Sequence, residues 1–254
     1  MKVAAATLET EEQIFARGVG TIAGMDEVGR GSLAGPVCVG VALVDAATRL
    51  SVEGLVDSKA LSEKKREAMV PAIRDWCVVE VGYTQPAEID ALGMTRALRL
   101  AGQRALARVA ARATSSVDFV LLDGKHDWLT APAPDLLAGL DEAELLYQSL
   151  VAEAWGSSAA WEGPVETVIK GDFKCASIAA ASVVAKVERD HLMNELAQLY
   201  PNFGWKKNKG YGSATHRQAL AEQGPSMEHR LTWNLGVDEE QIKAAYLQRA
   251  QQNL

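Results

Sequence analysis

No stretch of the 254-residue chain approaches the ~18 consecutive apolar residues of a membrane-spanning helix, so a membrane protein is not expected. Cysteine is scarce: Cys38, Cys77 and Cys175 are odd in number, widely spaced and form no C-x-x-C pair. That set suits a reducing cytoplasm and makes neither a disulfide framework nor a zinc knuckle. The four histidines show no H-x-x-x-H spacing, and no Ser or Cys stands in a nucleophile elbow, which argues against a triad hydrolase. No Gly-, Ser- or Pro-rich linker and no internal repeat divides the chain. Near the N-terminus Glu9, Glu11 and Glu12 intervene before any apolar core long enough for a signal peptide. What is present, 48% hydrophobic and 23% charged residues, is the composition of a globular domain with a sizeable core.

The formal net charge is −7, from 33 Asp and Glu against 26 Lys and Arg, and it is unevenly placed. Residues 129–166 hold seven of the acids and no base, and setting those seven aside leaves 26 acids facing 26 bases. Between Pro201 and Leu220, Lys206, Lys207, Lys209 and Arg217 occur without a single acid, interleaved with Phe203, Trp205 and Tyr211. A basic patch with aromatics is the footprint of a phosphate backbone, though charge alone equally describes a solvated loop.

The apolar pattern predicts strands over Thr21–Met25, Val37–Val44, Cys77–Thr84, Phe119–Leu122 and Val165–Ile169. Ser62 is a helix cap for a segment ending near Asp75, Pro86 opens a long helix to about Ala111, and another runs from about Lys174 to Leu199. Two antiparallel strands followed by strands alternating with helices predict an α/β fold with a mixed sheet. Residues 128–163 read as an acidic insertion with one helix, Leu136 to Trp155. The chain from Tyr211 onward reads as a helical appendage.

Asp26 and Glu27 end the first strand, Asp123 ends a central strand, and Asp172 follows the last one. Ligand sites in open α/β sheets collect beyond strand ends. Carboxylates gathered there repel one another unless a hard cation such as Mg²⁺ or Mn²⁺ lies between them. Four suffice for two ions about 3.5–4 Å apart, the arrangement for in-line displacement at phosphorus. The plainer reading is that each acid caps the following turn. Glu188 and Asp190 compete for the fourth place, but they lie about 24 Å further along a helix at about 1.5 Å per residue. Lys186, four residues before Asp190, makes a helical ion pair the expected role there.

Gly29-Arg30-Gly31 follows the acidic pair. It lets a ligand approach backbone N–H groups and adds a phosphate-binding charge, or it is simply a tight turn. Lys209-Gly210-Tyr211-Gly212 joins a charge, two hinges and a flat ring suited to a sugar or base. A tyrosine packed on the edge of the core fits equally well.

Together these segments resemble the ribonuclease HII family. The resemblance is carried by Ala23 to Val37 (AGMDEVGRGSLAGPV), Asp57-Ser58-Lys59, Leu122-Asp123-Gly124, Lys170-Gly171-Asp172, Ser177 to Asp190, Lys209 to Gly212 and His229-Arg230-Leu231, in family order. It implies a ribonuclease-H-like mixed β-sheet flanked by helices in residues 1–200, with a basic loop and C-terminal helical part in residues 201–254. It implies that Asp26, Glu27, Asp123 and Asp172 are catalytic and bind two Mn²⁺ or Mg²⁺ ions. It also implies that Gly29, Arg30 and Gly31 read a ribose 2′-hydroxyl, and that Tyr211 meets the sugar on the DNA side of a junction. The activity implied is hydrolysis of the RNA strand of RNA–DNA hybrids and nicking 5′ of ribonucleotides embedded in duplex DNA, leaving 5′-phosphate and 3′-hydroxyl ends. A cytoplasmic monomer acting in ribonucleotide excision repair is the expectation. Two features depart from the pattern: the acidic segment is long, and Leu231-Thr232-Trp233 replaces a Ser-Phe pair. A junction resolvase would share the acids but have no use for the Gly-Arg-Gly turn. A non-catalytic hybrid-binding module would not require Asp26 or Asp123.

Overall fold

The computed structural model describes residues 5–132, 141–156 and 159–252. Five strands form one sheet: β1 (Thr21–Val28), β2 (Val37–Asp45), β3 (Val78–Thr84), β4 (Phe119–Asp123) and β5 (Val165–Val168), in the order β3-β2-β1-β4-β5. β1 pairs antiparallel with β2 and β2 with β3, while β4 lies parallel to β1 and β5 parallel to β4. The mixed sheet is as the sequence predicts. β1, however, runs to Val28, so Asp26 and Glu27 lie within the strand, paired with Gly40 and Val39 of β2.

The helices in chain order are α1 (Glu9–Phe15), α2 (Glu63–Trp76), α3 (Pro86–Arg112), α4 (Glu142–Trp155), α5 (Gly171–Lys174), α6 (Ala176–Leu199), α7 (Trp205–Asn208), α8 (Ala214–Gln223) and α9 (Glu239–Gln252). The Ser62 hydroxyl caps α2 by accepting the Lys65 N–H at 3.4 Å. α3 starts at Pro86 as expected but is two arms, because Gly93 at φ 73°, ψ 163° breaks the helical run. The helix expected from about Lys174 to Leu199 is α6, which begins at Ala176 because the extended backbone of Cys175 separates it from the short α5. Of the insertion helix, α4 is observed from Glu142, and residues 136–140 lie outside the described residues. α1 carries no clear signal in the sequence.

α3 and α6 cover opposite faces of the sheet. Ala23, Met25, Val39 and Val41 pack with Leu98, Ala101 and Ala105 of α3. On the other face Ala179, Ala180 and Val183 of α6 join Cys38 and Ala42. α6 lies close because Gly24 and Gly40 leave no side chain beneath it. A Cβ on either would collide with the α6 backbone at Ser177 or Ala181.

The acidic helix α4 lies against α3, where Arg96 answers Glu144 at 3.0 Å and the Trp155 indole donates to Gln103 Oε1 at 2.9 Å. Phe203 and Trp205 are buried with Met193, Leu220 and Leu231 in a core shared by the C-terminal helices and α6. Neither can meet a nucleic acid, which corrects the reading of an aromatic-studded basic loop.

Candidate active site

Successive residues of a strand face opposite sides. Met25 belongs to the α3-side core, so Asp26 turns toward α6 and Glu27 toward α3. On β4, Leu122 packs on the α3 side and Leu121 against Ile178 of α6, so Asp123 also faces α6. The β1–β4 register ends at Met25 opposite Leu122, which puts Asp26 and Asp123 at neighbouring strand ends. Asp172 completes the group from α5, where Asp123 Oδ1 accepts the N–H of Gly171 at 2.7 Å and that of Asp172 at 3.4 Å. Three of the four expected acids therefore converge. Glu27 approaches from the other face, with Arg30 at 3.5 Å.

Asp26 and Asp172 are 6% and 5% exposed, and little positive charge accompanies them. Burial first, then the Asp123 and Glu27 charges, push the Asp26 carboxyl up to about 8 against the Ser182 hydroxyl and Lys59. Burial followed by Asp123 and Asp57 raises Asp172 to about 6, with Lys59 opposing. Glu27 is raised as well, by burial, with Arg30 opposing and Asp123 adding to it. The balancing cation is Lys59, whose Nζ stands 3.9 Å from Asp172 Oδ2. Burial would lower its pKa, but Asp57, Asp26, Asp172 and Asp123 together raise it.

The donors are the hard oxygens that Mg²⁺ and Mn²⁺ prefer, and they are short of counter-charge, so the residues fit such ions. Among the described residues, no group of three or more His, Cys, Asp or Glu side chains is already arranged to hold one.

The glycine-arginine-glycine turn leaves the end of β1 with Gly29 at φ +85°. A Cβ on Gly31 would stand 4.0 Å from the Tyr211 ring, so the turn and the half-exposed tyrosine share one surface. Lys206, Lys207 and Arg217 are exposed, whereas Lys209 is held by Asn194 Oδ1 and by Glu63 at 3.8 Å. Asp190 is buried away from the acids and pairs with Lys186 at 2.6 Å and Arg66 at 3.7 Å, the ion-pair role its spacing predicts. Sequence reasoning gave no role to Lys59, whose only signal was its place in Asp57-Ser58-Lys59. It also gave no role to Ser182, whose only signal was its place in the segment Ser177 to Asp190.

The family model described as Ribonuclease HII matches residues 23–127 and 153–235, leaving out most of the acidic insertion. Ribonuclease HII of Streptomyces avermitilis is 44% identical over 217 residues, covering 85% of this chain and 78% of its own. That of Desulfitobacterium hafniense is 38% identical over 226 residues, covering 89% and 73%. Among solved structures, the PCNA:RNase HII complex from Archaeoglobus fulgidus aligns at a TM-score of 0.59 with 26% identity, over 84% of this chain and 95% of that one. Bst-RNase HIII in complex with Mn²⁺ aligns at 0.63 over 92% and 73%, and at 20% identity it supports the fold alone. With the family model spanning most of the chain and such relatives matched over most of their length, the acids gathered at these strand ends belong to a member of the ribonuclease HII family, which are endoribonuclease hydrolases.

Proposed function

We propose that this chain hydrolyses the RNA strand of RNA–DNA hybrids and nicks 5′ of single ribonucleotides embedded in duplex DNA. The products would carry 5′-phosphate and 3′-hydroxyl ends. The observation that carries this reading is the convergence of Asp26, Asp123 and Asp172 at the strand ends, with Lys59 as their balancing cation. Asp26, Glu27, Asp123 and Asp172 would hold two Mn²⁺ or Mg²⁺ ions. When bound, such ions supply Lewis acidity to the scissile phosphate and lower the pKa of the attacking water.

The protein's own groups do the positioning. Asp123 Oδ1 keeps α5, and with it Asp172, against the end of β4. Arg30, more than half exposed at its side chain, offers a charge to a phosphate beside Glu27. The Gly29–Gly31 backbone is open to a ribose 2′-hydroxyl, the group that distinguishes RNA from DNA. Tyr211 offers its ring to the neighbouring sugar, and Lys206, Lys207 and Arg217 attract the duplex backbone. Action as a cytoplasmic monomer in ribonucleotide repair belongs to the same reading. The test is incubation with a duplex carrying one ribonucleotide, with Mn²⁺, with Mg²⁺ and with chelator. Metal-dependent nicking at the ribonucleotide is expected, and cleavage that persists in chelator overturns the reading.

A further inference from the structure

Beneath the Gly29–Gly31 turn lie two arginines that the chemistry above does not use. Arg189, on α6, and Arg230, in the segment between α8 and α9, are both fully buried. A buried guanidinium is costly unless its donors are satisfied and its charge is answered. Arg189 donates through Nε to the Pro36 carbonyl at 2.9 Å, through Nη1 to the Lys209 carbonyl at 3.0 Å, and through Nη2 to Ser32 Oγ at 2.8 Å. Arg230 donates through Nη1 to the Arg30 carbonyl at 2.8 Å and through Nη2 to the carbonyls of Gly29 at 2.6 Å and Gly35 at 3.1 Å. Among the described residues no carboxylate forms an ion pair with either. Burial, then Arg189, lowers Arg230 to about 9, so it remains charged at pH 7.

The bonds converge on the two elements expected to touch substrate. Ser32 Oγ, held by Arg189, donates to the same Gly29 carbonyl that Arg230 holds, at 2.8 Å. The Leu33 N–H donates to the Gly210 carbonyl at 2.8 Å, closing the turn onto the loop. Lys209, whose carbonyl Arg189 takes, sits at φ +50°, a conformation a non-glycine residue keeps only when its surroundings impose it. The Arg189 guanidinium lies 5.7 Å from the Tyr211 ring centroid, and that of Arg230 lies 4.9 Å from Trp233. Gly29 has to be glycine, since a Cβ there would run into Arg189. Carbonyls tied inward cannot present their negative ends to an approaching phosphate.

We propose that Arg189 and Arg230 are positioning residues that lock the Gly29–Arg30–Gly31 turn and the Lys209–Gly210–Tyr211 loop into one clamp, and that this clamp sets the preference for a ribonucleotide–deoxyribonucleotide junction over continuous hybrid. The inference rests on the reading above that both elements meet substrate. Lysine at either position keeps the charge but cannot span three acceptors in the arginine's forked geometry.

The test uses the full chain with Arg189→Lys, Arg230→Lys and Ser32→Ala, the last a milder change should either lysine variant fail to fold. Two quantities are read: amide hydrogen exchange without substrate, and kcat/KM on an embedded-ribonucleotide duplex relative to continuous hybrid. In each lysine variant the Leu33 and Tyr211 amides should exchange faster together while β1 and β2 amides keep their rates. The junction-to-hybrid ratio should fall about 10- to 100-fold, as expected for misplaced recognition groups. Ser32→Ala should move both readouts the same way, with a ratio change of about 2- to 5-fold. Unchanged exchange, a uniform rise across all amides, or loosened loops with an unchanged ratio would each overturn the proposal. Wild type that leaves the embedded ribonucleotide uncut would instead contradict the reading of the site, while the exchange measurement still decides whether the arginines form a clamp.

Discussion

One oxygen of Asp123 accepts the backbone N–H of Gly171 at 2.7 Å, tying the end of β4 to the short helix that carries Asp172. The expected ligand is thus also an anchor, and the two roles separate by substitution. Asp123→Asn keeps an acceptor oxygen and should unfold in urea within about 1 kcal/mol of wild type. Asp123→Ala leaves the Gly171 N–H unanswered and should lose about 1–3 kcal/mol. Equal stabilities for the two variants would show that the bond does not hold α5 in place.

Asp190 and Asp172 differ in what surrounds them. Asp190 answers Lys186 and Arg66, so Asp190→Asn leaves two cations without their carboxylate and should cost about 3 kcal/mol. Its turnover per folded molecule should stay near wild type. Asp172→Asn should fold and lose turnover. A well-folded Asp190→Asn protein without activity, beside an active Asp172→Asn, would reverse the assignment.

Metal-free protein should respond to pH through Asp26. Its carboxyl lies at about 8 in the folded chain against an ordinary 3.8. The folded state therefore holds a proton that the unfolded state has released, and this contribution, complete below about pH 4, is lost as pH rises toward 8. The slope is at most about 1.4 kcal/mol per pH unit. Asp26→Asn should raise the chelator-treated Tm at pH 8 and leave it nearly unchanged at pH 4.5, while Mn²⁺ should stabilise wild type at pH 8 more than the variant. Thermal melts showing no pH-dependent gain would contradict the crowded, cation-poor site.

His216 and His229 work in the opposite sense. The Trp205 indole donates to His216 Nε2 at 3.1 Å, and the Ser226 N–H donates to His229 Nδ1 at 2.9 Å. These partners require a proton on His229 Nε2, shared with His216 Nε2 at 3.0 Å, and one on His216 Nδ1 toward the Tyr211 carbonyl at 2.9 Å. Both rings are neutral. Burial, then His216, depresses His229 to about 3 from an ordinary 6.5, and burial lowers His216 too. Unfolded chain binds these protons first, so the contribution is whole above about pH 6.5 and is lost as pH falls toward 3. NMR of the folded protein should show neither imidazole titrating between pH 7 and 5, and a midpoint near 6.5 for either would refute the network.

Tyr211→Ala removes a ring expected to meet the sugar at a junction. Stacking of this kind is worth about 1–3 kcal/mol, so cleavage of an embedded-ribonucleotide duplex should fall about 5- to 150-fold, with a smaller loss on continuous hybrid. Rates at one salt concentration decide it. Equal losses would make Tyr211 a general packing residue.

Much of the site was legible because acids at strand ends are a local signal. Asp26, Asp123 and Asp172 could be placed from apolar runs and the residues that stop them. Which way each faces could not, since a strand three residues longer than its apolar run puts Asp26 and Glu27 on opposite faces. The fate of the basic loop was hidden for a related reason. Whether Phe203 and Trp205 point out or in depends on α8 folding back over them, a tertiary fact without local pattern. Arg189 and Arg230 stood in the matched segments without a role of their own, because Pro36, Ser32 and Gly29, distant in sequence, close around them only in the fold.

The central claim is that the acids at the strand ends bind divalent ions and thereby cut at ribonucleotides. The direct measurement is cleavage of a duplex containing one ribonucleotide by wild type and Asp123→Asn in Mn²⁺ and in chelator, with product ends identified. The account predicts a 5′-terminal ribonucleotide phosphate and a 3′-hydroxyl from wild type only with metal, and a rate at least about 100-fold lower from a folded Asp123→Asn. Wild-type rates from that variant, or cleavage by wild type in chelator, would contradict it.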